Sequence, residues 1–143
     1  MKIYLQAWLF FAASLRAVSV YFGFFDVAIF QKKLFDLQPD KVNDLYGRTF
    51  GIWTLVTCIV TSSCAYDLHN ATLFGVTWLS FLCAFGHFTS ELAVFKTLSI
   101  KGFLSPAVVS GVSLVWMGVY YLLYRDQFHS PPPPEDTSLR KTQ

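Results

Sequence analysis

Charge is scarce in this chain. Asp, Glu, Lys and Arg make up 14% of its 143 residues, where a soluble domain carries roughly a quarter. A soluble core of this length needs more polar residues than that to cover its outside, so most of the outside must face something other than water. The net charge is only +2 and Lys and Arg do not cluster, which excludes the basic footprint of a nucleic-acid binder.

Reactive residues are also few. There are three histidines, His69, His87 and His129, too few for the histidine cluster of a membrane di-iron hydroxylase. No HExxH, GxSxG, GxGxxG or P-loop pattern occurs. His87 and Glu91 at i, i+4 are too few ligands for zinc, which takes three or four. No catalytic, cofactor or metal set is expected. The three cysteines, Cys58, Cys64 and Cys83, lie in apolar stretches without metal-ligand spacing. They read as small packing residues, not as a disulfide framework.

What is abundant is apolar and aromatic: 54% and 18% of the residues. A bilayer-spanning helix needs about 20 apolar residues. Four stretches approach that length, at about 4–25, 50–66, 72–95 and 103–124. They predict an all-α integral membrane bundle of four transmembrane helices over residues 1–124. The first stretch contains Arg16 and lacks a small-residue cleavage site, so it reads as a retained anchor and not a cleaved signal. The short 67–71 connection predicts that the second and third helices form an antiparallel hairpin. The 26–49 segment, with Lys32, Lys33, Asp36, Asp40, Lys41, Asp44 and Arg48, reads as the longest loop. Residues 125–143, with consecutive prolines from Pro131 to Pro134, read as a disordered polar tail.

Four spans put both termini on one side. Lys and Arg counts weakly favour cytosolic 26–49 and 96–102 loops. Against this, Arg140 and Lys141 close to the C-terminus resemble a dibasic retrieval signal read by cytosolic receptors. The expectation is cytosolic termini in the endoplasmic reticulum membrane. On that orientation the sequon at Asn70 is unmodified.

Polar residues at membrane depth each require an account. Ala12, Arg16, Ser19, Gly23 and Asp26 share one face of the first helix. Ser80, Ala84, His87 and Glu91 share one face of the third. The second helix offers Thr54, Cys58, Ser62 and Ala65, and the fourth Ala107, Gly111 and Gly118. Such stripes are how helices pack in lipid. By depth, Arg16, Arg48, His87 and Glu91 converge, with Glu91 as the partner of an arginine. The bland interpretation is an intramembrane clamp. The sharper one is a polar pocket for a lipid head group or partner. Trp53, Trp78 and Trp116 read as core or interfacial anchors.

Three segments go further: Arg48-Thr49-Phe50-Gly51-Ile52-Trp53-Thr54-Leu55, then Asp67-Leu68-His69-Asn70 with Thr72-Leu73, then Gly86-His87-Phe88 with Ser90-Glu91-Leu92. In this order and spacing they resemble the ergosterol biosynthetic protein 28 family, over about residues 5–124. The resemblance implies an endoplasmic reticulum protein of sterol biosynthesis without catalytic activity. It implies a tether for a C-4 sterol methyl oxidase, a C-3 dehydrogenase with C-4 decarboxylase activity, and a 3-ketosteroid reductase, with membrane lipid around it. Two other classes stay open. One is a small sterol enzyme using His87 and Glu91 as acid and base. The other is a lipid or ion carrier using the Arg16–Glu91 region, which a closed bundle would argue against. Self-association is also left open.

Overall fold

The structure, a computed structural model, describes residues 1–128. The Arg140–Lys141 pair and the proline run lie outside the described residues. The described residues form helices and no strands, in the order α1 (Lys2–Phe25), α2 (Asp44–Tyr66), α3 (Ala71–Ser90) and α4 (Ile100–Phe128). All four helices are long and apolar enough to cross a membrane. α3 is extended by a π-helical turn, Glu91–Phe95, and a second such turn, Phe30–Leu34, lies between α1 and α2.

Side-chain caps set two of the helix starts. Asn43 accepts a hydrogen bond from the Tyr46 N–H at 2.9 Å, and Asn70 accepts one from the Leu73 N–H at 3.0 Å. Both are favoured N-cap residues, because the side-chain oxygen satisfies a donor that the first turn leaves open. The Asn43 cap starts α2 six residues before the apolar run that suggested Phe50. α4 likewise continues past Tyr124 to Phe128, through a kink at Tyr124, so the helix takes in the first residues of the expected tail.

The helices run antiparallel in chain order. Gln6 near the start of α1 donates to the Ala65 carbonyl near the end of α2. Phe74 near the start of α3 meets Phe128 at the end of α4, with ring centroids 5.0 Å apart. Both ends of the described chain therefore lie at one face of the bundle, here called the terminal end.

Two apolar clusters stack along the bundle. The terminal-end cluster holds Leu5, Leu9, Cys64, Phe74, Phe81, Met117 and Tyr120. The opposite, loop-end cluster holds Phe30, Phe35, Val42, Phe50, Phe88 and Leu98. Three of those come from the segment expected to be a polar loop. That segment is a strap laid across the bundle. Its charged residues Lys32, Lys33, Asp36 and Lys41 are exposed while Phe30, Phe35 and Val42 are buried. The strap is tied to the α3–α4 connection: Asp36 accepts from the Ser99 N–H at 2.8 Å and the Ser99 hydroxyl at 2.7 Å, and the Leu37 N–H donates to the Thr97 carbonyl.

Candidate functional site

α1 and α2 pack through their small residues. A Cβ on Gly23 would lie 2.5 Å from the Gly47 carbonyl oxygen, and one on Gly47 would lie 2.7 Å from that of Gly23. Only glycine permits this approach, which is the usual way helices gain contact in lipid. Farther along the same seam the Cys58 thiol reaches the Ala13 carbonyl.

Arg16 sits on this seam, about 14 Å from the Phe25 end of α1 at ~1.5 Å per residue, so roughly halfway through a ~30 Å hydrocarbon layer. Its Nη1 donates to the Thr57 carbonyl at 3.0 Å and to the Thr61 hydroxyl at 2.9 Å. The guanidinium carbon lies 4.3 Å from the Phe81 ring centre, close enough for cation–π attraction. No carboxylate faces it among the described residues. Nε and Nη2 make no hydrogen bond there, and they are not sealed from solvent space either.

Arg16 borders a cleft of about 480 Å³, within the size range of small-molecule sites. All four helices and the strap contribute walls. Ala12, Phe22, Phe30, Phe50, Trp53, Phe81, Phe88 and Val109 make them mainly apolar; Ser19, Thr54 and Ser110 add hydroxyls. The exposed lining residues Leu15 and Val18 of α1 and Ser105 of α4 place its mouth between α1 and α4, toward lipid. Lys33 of the strap and Lys101 of α4 stand at the loop-end rim. At that rim α4 touches the strap so closely that a Cβ on Gly102 would collide with the Leu34 carbonyl oxygen.

The expected convergence of four polar residues forms only in part. Of Arg16, Arg48, His87 and Glu91 only His87 and Glu91 meet, and His87 also faces the Trp53 ring. The Trp53 and His87 rings are 5.6 Å apart, His87 Nδ1 lies 3.9 Å from a Glu91 carboxylate oxygen, and the other Glu91 oxygen accepts from the Thr97 hydroxyl at 2.5 Å. Glu91 therefore caps its own π-helical turn and is not the counterion of Arg16. Arg48 is elsewhere again, exposed beside Asp26 and Asp44 in a polar groove. The reason is rotational: residues at one depth still point to different sides of their helices. His87 and Glu91 do not line the cleft. Among the described residues no group of three His, Cys, Asp or Glu could hold a metal ion.

Thr57, Thr61 and Phe81 were missed as partners of Arg16. The available signal was Thr61, whose hydroxyl lies one turn beyond the Thr57 carbonyl on the same face of the helix. Trp8 was missed as well: its indole N–H donates to Ser113 at 2.9 Å and its ring meets Trp116 at 6.2 Å, closing α1 against α4 at the terminal end.

Two of the three segments that carried the family resemblance reach this region. Phe50, Trp53 and Thr54 come from the first of them and Phe88 from the last, and all four line the cleft. The family described as Erg28 like protein matches residues 5–115. The chain belongs to that family. It is 40% identical to the ergosterol biosynthetic protein 28 homolog of Mus musculus over 121 residues, covering 82% of this chain and 86% of the mouse protein. It is 39% identical to the ergosterol biosynthetic protein 28 of Arabidopsis thaliana over 110 residues, covering 77% and 84%. Against the Saccharomyces cerevisiae protein of that name it is 34% identical over 117 residues, covering 81% and 79%. No solved structure matches. Every residue lining the cleft, from Ala12 to Ser110, falls inside the Erg28-like match.

Proposed function

We propose that the protein is a non-enzymatic scaffold of sterol biosynthesis in the endoplasmic reticulum membrane. It gathers a C-4 sterol methyl oxidase, a C-3 dehydrogenase/C-4 decarboxylase and a 3-ketosteroid reductase. The observation that supports this most is the match over most of the chain to proteins named for ergosterol biosynthesis. The surface fits the role. α3 turns Leu79, Leu82, Cys83 and Gly86 outward, and neither Gly75 nor Gly86 meets anything within the bundle. Glycines on a lipid-facing helix let a partner helix approach closely. Holding successive enzymes together raises the effective concentration of each product at the next step, to the millimolar range for short linkages. Termini in the cytosol would leave Arg140 and Lys141 readable as a retrieval signal.

The test is purification from native membranes in mild detergent. Recovery of the three enzymes supports the scaffold; recovery of none of them rejects it. A second reading, a carrier of sterol intermediates, is favoured by the cleft, and a purified chain that alone converts a 4-methyl sterol would replace both with an enzyme.

A further inference from the structure

The cleft combines features that a purely structural clamp does not need. A guanidinium near mid-membrane is expensive unless it is paired. Two threonine oxygens and the Phe81 ring occupy one side of Arg16. Arg16 lines an apolar cleft open to lipid, and its Nε and Nη2 make no hydrogen bond among the described residues. Those donors form the planar fork that matches a carboxylate in a bidentate pair. The surrounding walls are too apolar for a soluble anion and too narrow in polar content for a head group with several charges.

We infer that the cleft binds a sterol whose ring carries a carboxylate, with that carboxylate on Arg16 and the fused rings against Phe22, Phe50, Trp53, Phe81 and Phe88. The choice of ligand rests on the scaffold reading above. Removing a methyl group by oxidation and then decarboxylation must pass through a ring carboxylate, and that acid is the species handed from oxidase to decarboxylase. A single anionic group on a rigid apolar body is also what one arginine in an otherwise apolar cleft can hold. The mouth between α1 and α4 lets such a molecule enter sideways from the bilayer. Lys33 and Lys101 at the rim sit where the ionised acid first meets the bundle.

The test uses the purified full-length chain in lipid nanodiscs and three photoreactive probes: a 4-carboxysterol, a neutral 4-methylsterol and a fatty acid. The expected result is saturable labelling of cleft residues by the carboxysterol, competed by unlabelled carboxysterol and not by oleate. Arg16→Gln should weaken the carboxysterol about tenfold or more, the range for a hydrogen bond to a charged group, while changing the neutral sterol little. Ala84 of α3 also lines the cleft, so Ala84→Phe, which fills it, should weaken both sterols. Labelling spread over the lipid-facing surface, equal competition by oleate, or an unchanged ratio of the two sterols in Arg16→Gln overturns the proposal. So does a loss that follows Lys33→Gln and Lys101→Gln instead, since the carboxylate then sits at the rim. If Arg16→Gln does not accumulate, competition and labelled position in the parent chain and in Ala84→Phe still decide. Co-purification of the three enzymes with the Ala84→Phe chain is scored separately, so a failed sterol site and a failed scaffold give different results.

Discussion

The same helices, α1 and α4, meet differently at the two ends of the bundle. At the terminal end an indole closes them, through the Trp8–Ser113 hydrogen bond and the Trp8–Trp116 contact. Toward the loop end Leu15, Val18 and Ser105 edge an open cleft, covered at that end by the strap that α4 meets at Gly102. The α1–α2 seam, by contrast, stays shut along its length, from Gln6–Ala65 to Gly23–Gly47. In lipid no hydrophobic force draws one apolar helix to another, so close packing and interhelical hydrogen bonds decide where two helices touch. Small residues close one seam, a large ring closes one end of another, and the rest of that second seam is left as an open cleft.

The largest expected effect comes from forcing the closed seam apart. Gly23→Leu would drive a side chain into the Gly47 backbone, which cannot move without shifting the helix. The cost is about 3 kcal/mol or more, seen as loss of most of the detergent-extracted protein and a lower melting temperature. Gly75→Leu is the matched control. A Cβ there meets nothing within the bundle, so stability should stay within ~0.5 kcal/mol. If the scaffold reading holds, Gly75→Leu should instead reduce recovery of a partner enzyme. Equal stability losses in both variants would remove the distinction between a filled seam and an open face.

Trp8→Ala attacks the sealed end of the other seam. It deletes the indole that joins α1 to α4 and should cost about 2 kcal/mol, below the range for buried tryptophans in soluble cores because lipid solvates the exposed groups well. Trp8→Phe, which keeps the ring and loses the hydrogen bond, should cost about 0.6 kcal/mol. Cysteine cross-linking between α1 and α4 at the terminal end would become less efficient in the alanine variant. Unchanged cross-linking would show that Trp8 is not what closes that end.

How much of this was visible in the residues themselves depends on the kind of signal. The spans were legible because each is a long apolar run, a property that needs no partner. The antiparallel α2–α3 hairpin followed from the short connection at 67–71. The strap was not legible: Phe30, Phe35 and Val42 have no regular period, and the lysines and aspartates between them read as a solvated loop. The partner of Arg16 was misjudged for a geometric reason. Depth along a helix can be counted from sequence, but the direction in which Glu91 faces depends on the π-helical turn that begins with it. That turn directs its carboxylate to Thr97, leaving Arg16 with threonines and a ring.

This reassignment changes what Glu91→Ala should do. Had Glu91 neutralised Arg16, its removal would strand a cation at depth, a loss of several kcal/mol. With Thr97 and His87 as its partners the expected cost is about 1 kcal/mol, confined to the loop end. Hydrogen exchange should quicken in residues 91–99 and stay unchanged around Arg16. Faster exchange along the α1–α2 seam would restore the arginine–carboxylate clamp.

The smallest effect concerns the tie between strap and bundle. The two hydrogen bonds from Ser99 hold the Asp36 carboxyl below its ordinary pKa, because they favour the charged form. The sign follows from linkage: a carboxyl whose pKa is lower folded than unfolded stabilises the fold above its unfolded pKa of about 3.9. That contribution fades as pH falls from there through the folded value. Asp36 is exposed, so the solvent-screened effect is modest and reads out locally. In the parent chain, hydrogen exchange across residues 30–42 should quicken relative to the terminal end as pH falls below about 4. Asp36→Asn should quicken it already at neutral pH and flatten that pH dependence, since the amide accepts a weaker hydrogen bond and does not titrate. Because the strap covers the loop end of the cleft, the same variant should raise the rate at which a bound sterol probe exchanges without moving the labelled residues. A variant with parent-like exchange at every pH would mean that the buried rings of Phe30 and Phe35, and not Asp36, keep the strap in place.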